Sequence, residues 1–215
     1  MKVKAILWDF GGVITTSPFD SFNQFEQDND LPVDFIRGIN AVNHKANAWA
    51  LLESNQISEG EFDTLFLEES SRAGYGIRGS EILPLISQTS VRKKMVGVLR
   101  ECKKYFKNGC LTNNMLTGLG LAMSSNIDQE KDVTNVTSLF DIVIESSKEG
   151  IRKPDPAIYR LACDKMDVQP HQIVYLDDLG INLKPAREMG MTTIKVLSEA
   201  QAIKDLEKVT GLTFG

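Results

Sequence analysis

Hydrophobic positions along the chain fall into two textures. Val3 to Trp8 is an apolar, β-capable run that stops at Asp9 and the pair Gly11-Gly12, the pattern of a buried strand ending in a tight turn. From about Thr15 to Thr89 no convincing period of two appears, and apolar residues recur instead at helical spacing. Pro32 opens one such stripe, with Phe35, Ile36, Ile39 and Val42; Ser58-Glu59-Gly60-Glu61 is a capping box ahead of Phe62, Leu65 and Phe66. This region is expected to be all helix. After about Val91 helices and strands alternate. Met95, Val98, Leu99 and Cys102 mark an amphipathic helix, Gly109-Cys110-Leu111 a short strand before Thr112-Asn113-Asn114, and Phe140 to Ile144 a second β-capable run. Asp155 caps a helix with Pro156 at its first position, continuing through Ile158, Leu161 and Ala162. Ile173 to Leu176 is a further strand, stopping at Asp177-Asp178; a helix then runs to Gly190 and a strand from Thr192 to Leu197. The capping box Ser198-Glu199-Ala200-Gln201 starts a last helix that ends near Gly211.

Strands alternating with helices predict an α/β fold, a doubly wound parallel sheet. The first strand lies far upstream of the others, so the helical stretch is an insertion after it. The expected division is a core of residues 1–14 and 90–215 with an inserted helical unit, 15–89. A length of 215 residues suits one domain carrying such an insertion, and 42% hydrophobic with 25% charged residues supplies a full core and excludes disorder for the bulk of the chain. The net charge of −5 gives no footprint for a phosphate backbone or an anionic membrane, so neither nucleic acid nor membrane is expected as a partner. No apolar run reaches the roughly 18 residues of a membrane span, and MKVKAILWDF lacks the apolar region of a signal peptide. Cys102, Cys110 and Cys163 are odd in number and without CxxC spacing, which points to thiols in a reducing, cytoplasmic setting. A monomer or weak homodimer is the expected state.

Three polar clusters share one placement. Asp9 follows the first strand, Thr112 and Asn113 follow Leu111, and Asp177 and Asp178 follow Leu176. In an open parallel sheet the carboxyl ends of the strands line one edge, where ligands bind. Singly, each Asp reads as a cap for the next helix. Together they would crowd carboxylates that repel unless a cation neutralises them, and hard oxygen ligands suit Mg²⁺. Lys153, in Gly150-Ile151-Arg152-Lys153-Pro154-Asp155-Pro156, stands just before a helix N-terminus, where a cation is locally unfavourable. A lysine bridging the aspartates and an anionic ligand completes the equipment of a phosphoryl site.

With these residues in place, the sequence resembles the haloacid dehalogenase-like (HAD) superfamily of aspartate-nucleophile hydrolases. The four motifs are WDFGGV (8–13), LTNN (111–114), RKPDPAIY (152–159) and YLDDLGINLKPAREMGM (175–191), in order along the whole chain. Within the superfamily, the fourth motif and the tail AIKDLEKVTGL (202–212) look like the N-terminal phosphatase domain of soluble epoxide hydrolase and the HAD domain of acyl-CoA dehydrogenase family member 10. The resemblance implies a Rossmann-like core, with the insertion as an all-helical C1-type cap. It implies a phosphatase acting on a small phosphate ester through an aspartyl-phosphate on Asp9. Mg²⁺ would be held by Asp9, the main-chain carbonyl of Gly11 and Asp178. Thr112 and Asn113 would grip the phosphoryl oxygens, Lys153 would bridge nucleophile and transferred group, and Asp177 and Asn182 would support from behind or, for Asn182, join the substrate contacts.

One departure matters. Family phosphatases usually carry a second Asp two positions after the nucleophile, as acid and base for the leaving oxygen and water; here that residue is Gly11. General acid–base help is worth about 10²–10⁴-fold, so turnover of alkyl phosphates is expected to be slow, and aryl, acyl or anomeric sugar phosphates to suffer least. Asp20, Glu26 or Asp28 of the cap are substitutes to weigh against plain solvated charges. Trp49 and Phe22 are candidates for the cap's wall of the pocket, whereas Trp8 and Cys110 are expected in packing roles and Arg152 in solvent, with a substrate contact as its alternative. Gly118-Leu119-Gly120 is no dinucleotide fingerprint, and His44 and His171 form no metal or triad pattern. Two alternatives stay open: a non-catalytic HAD domain that keeps the metal site, and a haloacid dehalogenase, against which Gly11-Gly12 and the acidic pair count.

Overall fold

The computed structural model describes residues 2–115 and 134–214. In chain order its first half holds β1 (Ala5–Trp8), α1 (Pro18–Asp28), α2 (Phe35–Ala41), α3 (Ala48–Glu53), α4 (Glu59–Arg72), α5 (Gly79–Ile86) and α6 (Lys93–Cys102). Then come β2 (Lys107–Thr112), β3 (Ile142–Glu145), α7 (Ser146–Glu149), α8 (Pro156–Met166), β4 (Ile173–Asp177), α9 (Gly180–Glu188), β5 (Thr192–Lys195) and α10 (Glu199–Thr210). The strands form one parallel sheet in the order β3-β2-β1-β4-β5, so β1 is central and the chain winds outward on both sides of it. Trp8 pairs with Cys110 on one side and Leu176 on the other, which brings the carboxyl ends of β1, β2 and β4 level.

Alternate side chains of β1 leave opposite faces of the sheet. Ile6 and Trp8 join Met95, Val98 and Leu99 of α6 and Ala202 and Leu206 of α10; Ala5 and Leu7 join Ile158 and Tyr159 of α8 and Leu183 and Ala186 of α9. Helices covering both faces account for a first strand apolar at every position. Trp8 is a core residue, its Nε1 donating to Asn108 Oδ1 at 2.9 Å. The capping signals act as their residues require: the side chains of Ser58, Asp155 and Ser198 accept from the first turns of α4, α8 and α10, and Gly211, at φ 73°, closes α10.

Between Pro18 and Ile86 the described residues contain helices and no strand, packed round their own cluster of Phe22, Ile36, Ile39, Phe62, Phe66 and Ile82. The chain leaves and re-enters the sheet layer side by side, tied by an antiparallel bridge between Thr15 and Val91 and by Arg92 N–H donating to Ile14 O at 2.8 Å. Two expected apolar positions are corrected. Val42 is 70% exposed because α2 ends at Ala41 and the chain turns extended there. Leu197 is also exposed: β5 stops at Lys195, and Leu197 N–H donates to Gln201 Oε1 in the lead-in to α10. Gly118-Leu119-Gly120 lies outside the described residues. Among the described residues no helix is long and apolar enough to cross a membrane.

Candidate active site

The three adjacent strands β1, β2 and β4 deliver Asp9, Thr112-Asn113 and Asp177-Asp178 to one edge of the sheet, and the loop ahead of α8 delivers Lys153. Carboxylate oxygens of Asp9, Asp177 and Asp178 lie within 4.8 Å of one another. Into this cluster Lys153, only 1% exposed, extends its Nζ to 2.8 Å from Asp9 Oδ1 and 2.8 Å from Asp177 Oδ2. Burial alone would lower the lysine's pKa, but the Asp177 and Asp9 carboxylates outweigh it and raise the pKa, so the ammonium stays charged. A buried charge is tolerable only when paired in this way.

The three aspartates are not equivalent. Asp177 is fully buried and saturated: Oδ2 accepts from Lys153 Nζ, Tyr175 Oη and Asn182 Nδ2, and Oδ1 from Leu179 N–H at 2.8 Å and Asn182 Nδ2 at 3.1 Å. Asp9 is fixed by one edge, its Oδ1 accepting from Phe10 N–H at 2.7 Å as well as from Lys153. Asp178 accepts from Ser17 Oγ at 3.3 Å and packs on the backbone of Gly12, where a Cβ would sit 2.2 Å from its Oδ2. Gly12 has φ +76°, so both its conformation and this contact require glycine. Burial pushes Asp9 well above the usual carboxylate range, with Asp177 and Asp178 adding to the effect against Lys153. Burial, then the charge of Asp177, lifts Asp178 to about 6.

This donor set fits a hard divalent cation. Three carboxylates and one ammonium leave two negative charges, which one such ion neutralises. Asp177 has no oxygen to spare, whereas Asp9 and Asp178 keep ligand capacity beside Gly11.

Thr112 ends β2 with its Oγ1 donating to Asn113 O at 3.3 Å. Asn113 clamps the main chain of Lys153 from both sides: its Oδ1 accepts from Lys153 N–H at 2.9 Å and its Nδ2 donates to Lys153 O at 3.1 Å. Asn182 gives its amide to Asp177 and its main-chain carbonyl to Tyr159 Oη at 2.7 Å, so it braces Asp177 while also lying on the lining of the cavity above the site. Tyr175 stands two residues before Asp177 on the same strand, a spacing from which its reach to that carboxylate could have been read. The hydroxyl of Ser17 had no such signal.

Above these groups opens a cavity of about 880 Å³. Asp9, Gly11, Thr112, Asn113, Lys153 and Asp178 lie on its lining, and Phe10, Phe19, Phe22, Trp49, Val96 and Met115 give it a largely apolar wall. Asp20, Glu26 and Asp28 are not among the lining residues. Glu26 is instead buried inside the insertion, accepting from Asp34 N–H at 2.8 Å and Ile36 N–H at 2.9 Å at the start of α2. Arg152 is corrected too. Rather than lying in solvent it is 20% exposed, paired through Nη2 at 2.6 Å with Glu53 Oε2 of α3, a residue that no sequence pattern singled out. Cys110 is buried and its thiol pKa is raised by that burial; His171 is exposed, while His44 lines the cavity.

The haloacid dehalogenase-like hydrolase family model matches residues 3–190. The chain is 31% identical to mouse bifunctional epoxide hydrolase 2 over 225 residues, which is all of this chain and 40% of that protein. It is 31% identical to mouse acyl-CoA dehydrogenase family member 10 over 97% of this chain and 19% of that one. The chain thus spans well under half the length of these two relatives. A sesquiterpene phosphatase of Aspergillus oryzae is 25% identical, with 97% of each chain covered. Among solved structures, a HAD-like hydrolase from Porphyromonas gingivalis superposes with a TM-score of 0.67 at 19% identity, covering 97% of this chain and 98% of that one. A HAD enzyme from Bacteroides thetaiotaomicron, solved with magnesium and inorganic phosphate, gives 0.57 at 18% identity over 90% and 93%.

Proposed function

The chain belongs to the haloacid dehalogenase-like hydrolases, and from that premise we propose that it is a Mg²⁺-dependent phosphatase with Asp9 as nucleophile. One observation carries the reading: Asp9 and Asp178 face one cavity with the excess negative charge that a divalent cation offsets, while Asp177 is wholly engaged by Lys153 and its neighbours. A dehalogenase needs no such ion. Asp9, Asp178 and the main-chain carbonyl of Gly11 would hold Mg²⁺. When bound, the ion offsets phosphoryl charge so that an anionic nucleophile can approach. The neighbours solved or described with magnesium and as a phosphatase point the same way.

In this reading Asp9, held by Oδ1, attacks phosphorus through Oδ2, the P–O bond to the leaving group breaks, and an aspartyl-phosphate forms. Water then cleaves the acyl phosphate, returning the carboxylate and inorganic phosphate. Thr112 Oγ1 supplies a donor to the phosphoryl oxygens, Lys153 balances their charge, and Asn113 holds the lysine segment. No carboxylate at position 11 protonates the leaving oxygen, so aryl and acyl phosphates are turned over faster than alkyl ones. The aromatic and aliphatic wall favours an apolar leaving group, and about 300–1,000 Å³ is the usual size of a small-molecule pocket. Similarity to a sesquiterpene phosphatase supports the same choice. The buried, unpaired cysteines suit a reducing, cytoplasmic setting. We assign no nucleic-acid or membrane partner and a monomeric or weakly dimeric state.

The test is phosphate release from aryl, acyl, alkyl and sugar phosphates, with Mg²⁺ or chelator, beside an Asp9→Asn control. Release that requires both Mg²⁺ and Asp9 is expected, with apolar aryl and acyl esters first. No release from any ester while Mg²⁺ still binds would make this a non-catalytic domain.

A further inference from the structure

The helical insertion touches the sheet edge through a small charged knot. Glu53, the last residue of α3, reaches across so that its Oε2 accepts from Arg152 Nε at 2.7 Å, Arg152 Nη2 at 2.6 Å and Asn113 Nδ2 at 3.2 Å. Its Oε1 accepts from Trp49 Nε1 at 3.0 Å. Arg152 Nη1 returns the contact, donating to His44 O of the insertion at 2.9 Å, and Ser146 Oγ donates to Glu53 O at 2.7 Å. The Glu53 and Arg152 side chains are 13% and 20% exposed, so the pair is largely desolvated and two-pronged.

What the knot grips on the sheet side is the catalytic geometry itself. Asn113, held by Glu53, is the residue that clamps the Lys153 main chain at both ends, and Arg152 is the residue before Lys153. Moving α3 away would release Asn113 Nδ2 and Arg152 together and loosen the segment that aims Lys153 at Asp9. We propose that Glu53 and Arg152 are positioning residues that make seating of the helical cap and alignment of Lys153 a single event. This rests on the phosphatase reading for its catalytic half. The cap half stands independently of it.

The experiment uses the full chain with Arg152→Lys and Glu53→Gln, alone and together. Lysine keeps the charge of Arg152 but cannot make its forked contact to Glu53 and His44 at once. With an aryl phosphate and saturating Mg²⁺, each variant is expected to lose about tenfold or more in kcat with KM little changed, as for misplaced reacting groups. The double variant is expected to lose no more than the worse single, because the residues share one contact. Acrylamide quenching of unliganded Arg152→Lys reads the cap directly. Trp8 is fully buried in the core, so quenching reports Trp49, and it is expected to rise. Unchanged kcat in both variants would overturn the proposal, as would additive losses that simply follow a fall in Tm. Should the wild type release no phosphate from any ester, the phosphatase reading fails alone, and the quenching decides the pair: a rise supports it and no change overturns it.

Discussion

Gly11 and Gly12 are neighbours with opposite reasons for being glycine. A Cβ at Gly11 would meet nothing closer than Pro18 Cδ at 4.0 Å, so the absence of a carboxylate there is a chemical difference and not a steric one. Gly11→Asp is therefore expected to raise kcat/KM on alkyl phosphates by about 10–100-fold, with aryl phosphates nearly unchanged; an unchanged alkyl-to-aryl ratio would mean that leaving-group protonation does not limit the rate. At Gly12 a Cβ would collide with the Asp178 carboxylate. Gly12→Ala should cost about 1–3 kcal/mol of stability and weaken Mg²⁺ binding, checked by denaturant titration and calorimetry. Asp9 and Asp178 were legible because each follows a strand, where a capping Asp is ordinary, yet the carboxylates together exceed what capping needs; Lys153 was legible because a cation is out of place just before a helix start. Glu53 and Arg152 were not legible. Each is an ordinary charged residue in its own segment, and only the fold joins them across 99 positions of chain.

Among the elements, helix starts were the most readable feature, because Ser58, Asp155 and Ser198 carry the capping chemistry within a few residues. Ends set by backbone direction were not, as Val42 and Leu197 illustrate. The start of α2 is a third kind: its first amides are capped from a different helix, by Glu26 of α1. Glu26→Gln is accordingly expected to lower stability by about 1.5–3 kcal/mol, the range for hydrogen bonds to a charged group, with kcat per folded molecule unchanged. Thermal melts and active-protein-normalised kinetics would check this, and a selective loss of kcat would restore Glu26 as a candidate acid.

For the molecule as a whole, the sheet edge holds its aspartates at a cost in stability. The folded-state pKa of Asp178 is raised from 3.8 to about 6, and that of Asp9 is raised as well, so the native protein binds more protons here than the unfolded chain. Through these groups metal-free stability falls as pH rises from about 4 through 6, and a cation that replaces the protons reverses the loss. Mg²⁺ is thus expected to raise Tm clearly at about pH 7.5 and little at about pH 5. Asp178→Asn should raise metal-free stability by about 1–3 kcal/mol while abolishing the Mg²⁺-dependent rise. The α/β order and the inserted helices could be anticipated from periodicity, since their buried faces show in sequence; of the cavity between sheet edge and insertion only Phe22 and Trp49 could be, because the rest of its wall joins residues from both.

The central claim is that Asp9 carries the phosphoryl group during turnover. The most direct measurement is acid-quenched single turnover of an aryl or acyl phosphate bearing a radiolabelled phosphoryl group, followed by peptide mapping. With Mg²⁺ present, transient label is predicted on the peptide containing Asp9, absent in Asp9→Asn and without Mg²⁺. Turnover with no label on that peptide, or with label on another residue, would contradict the account.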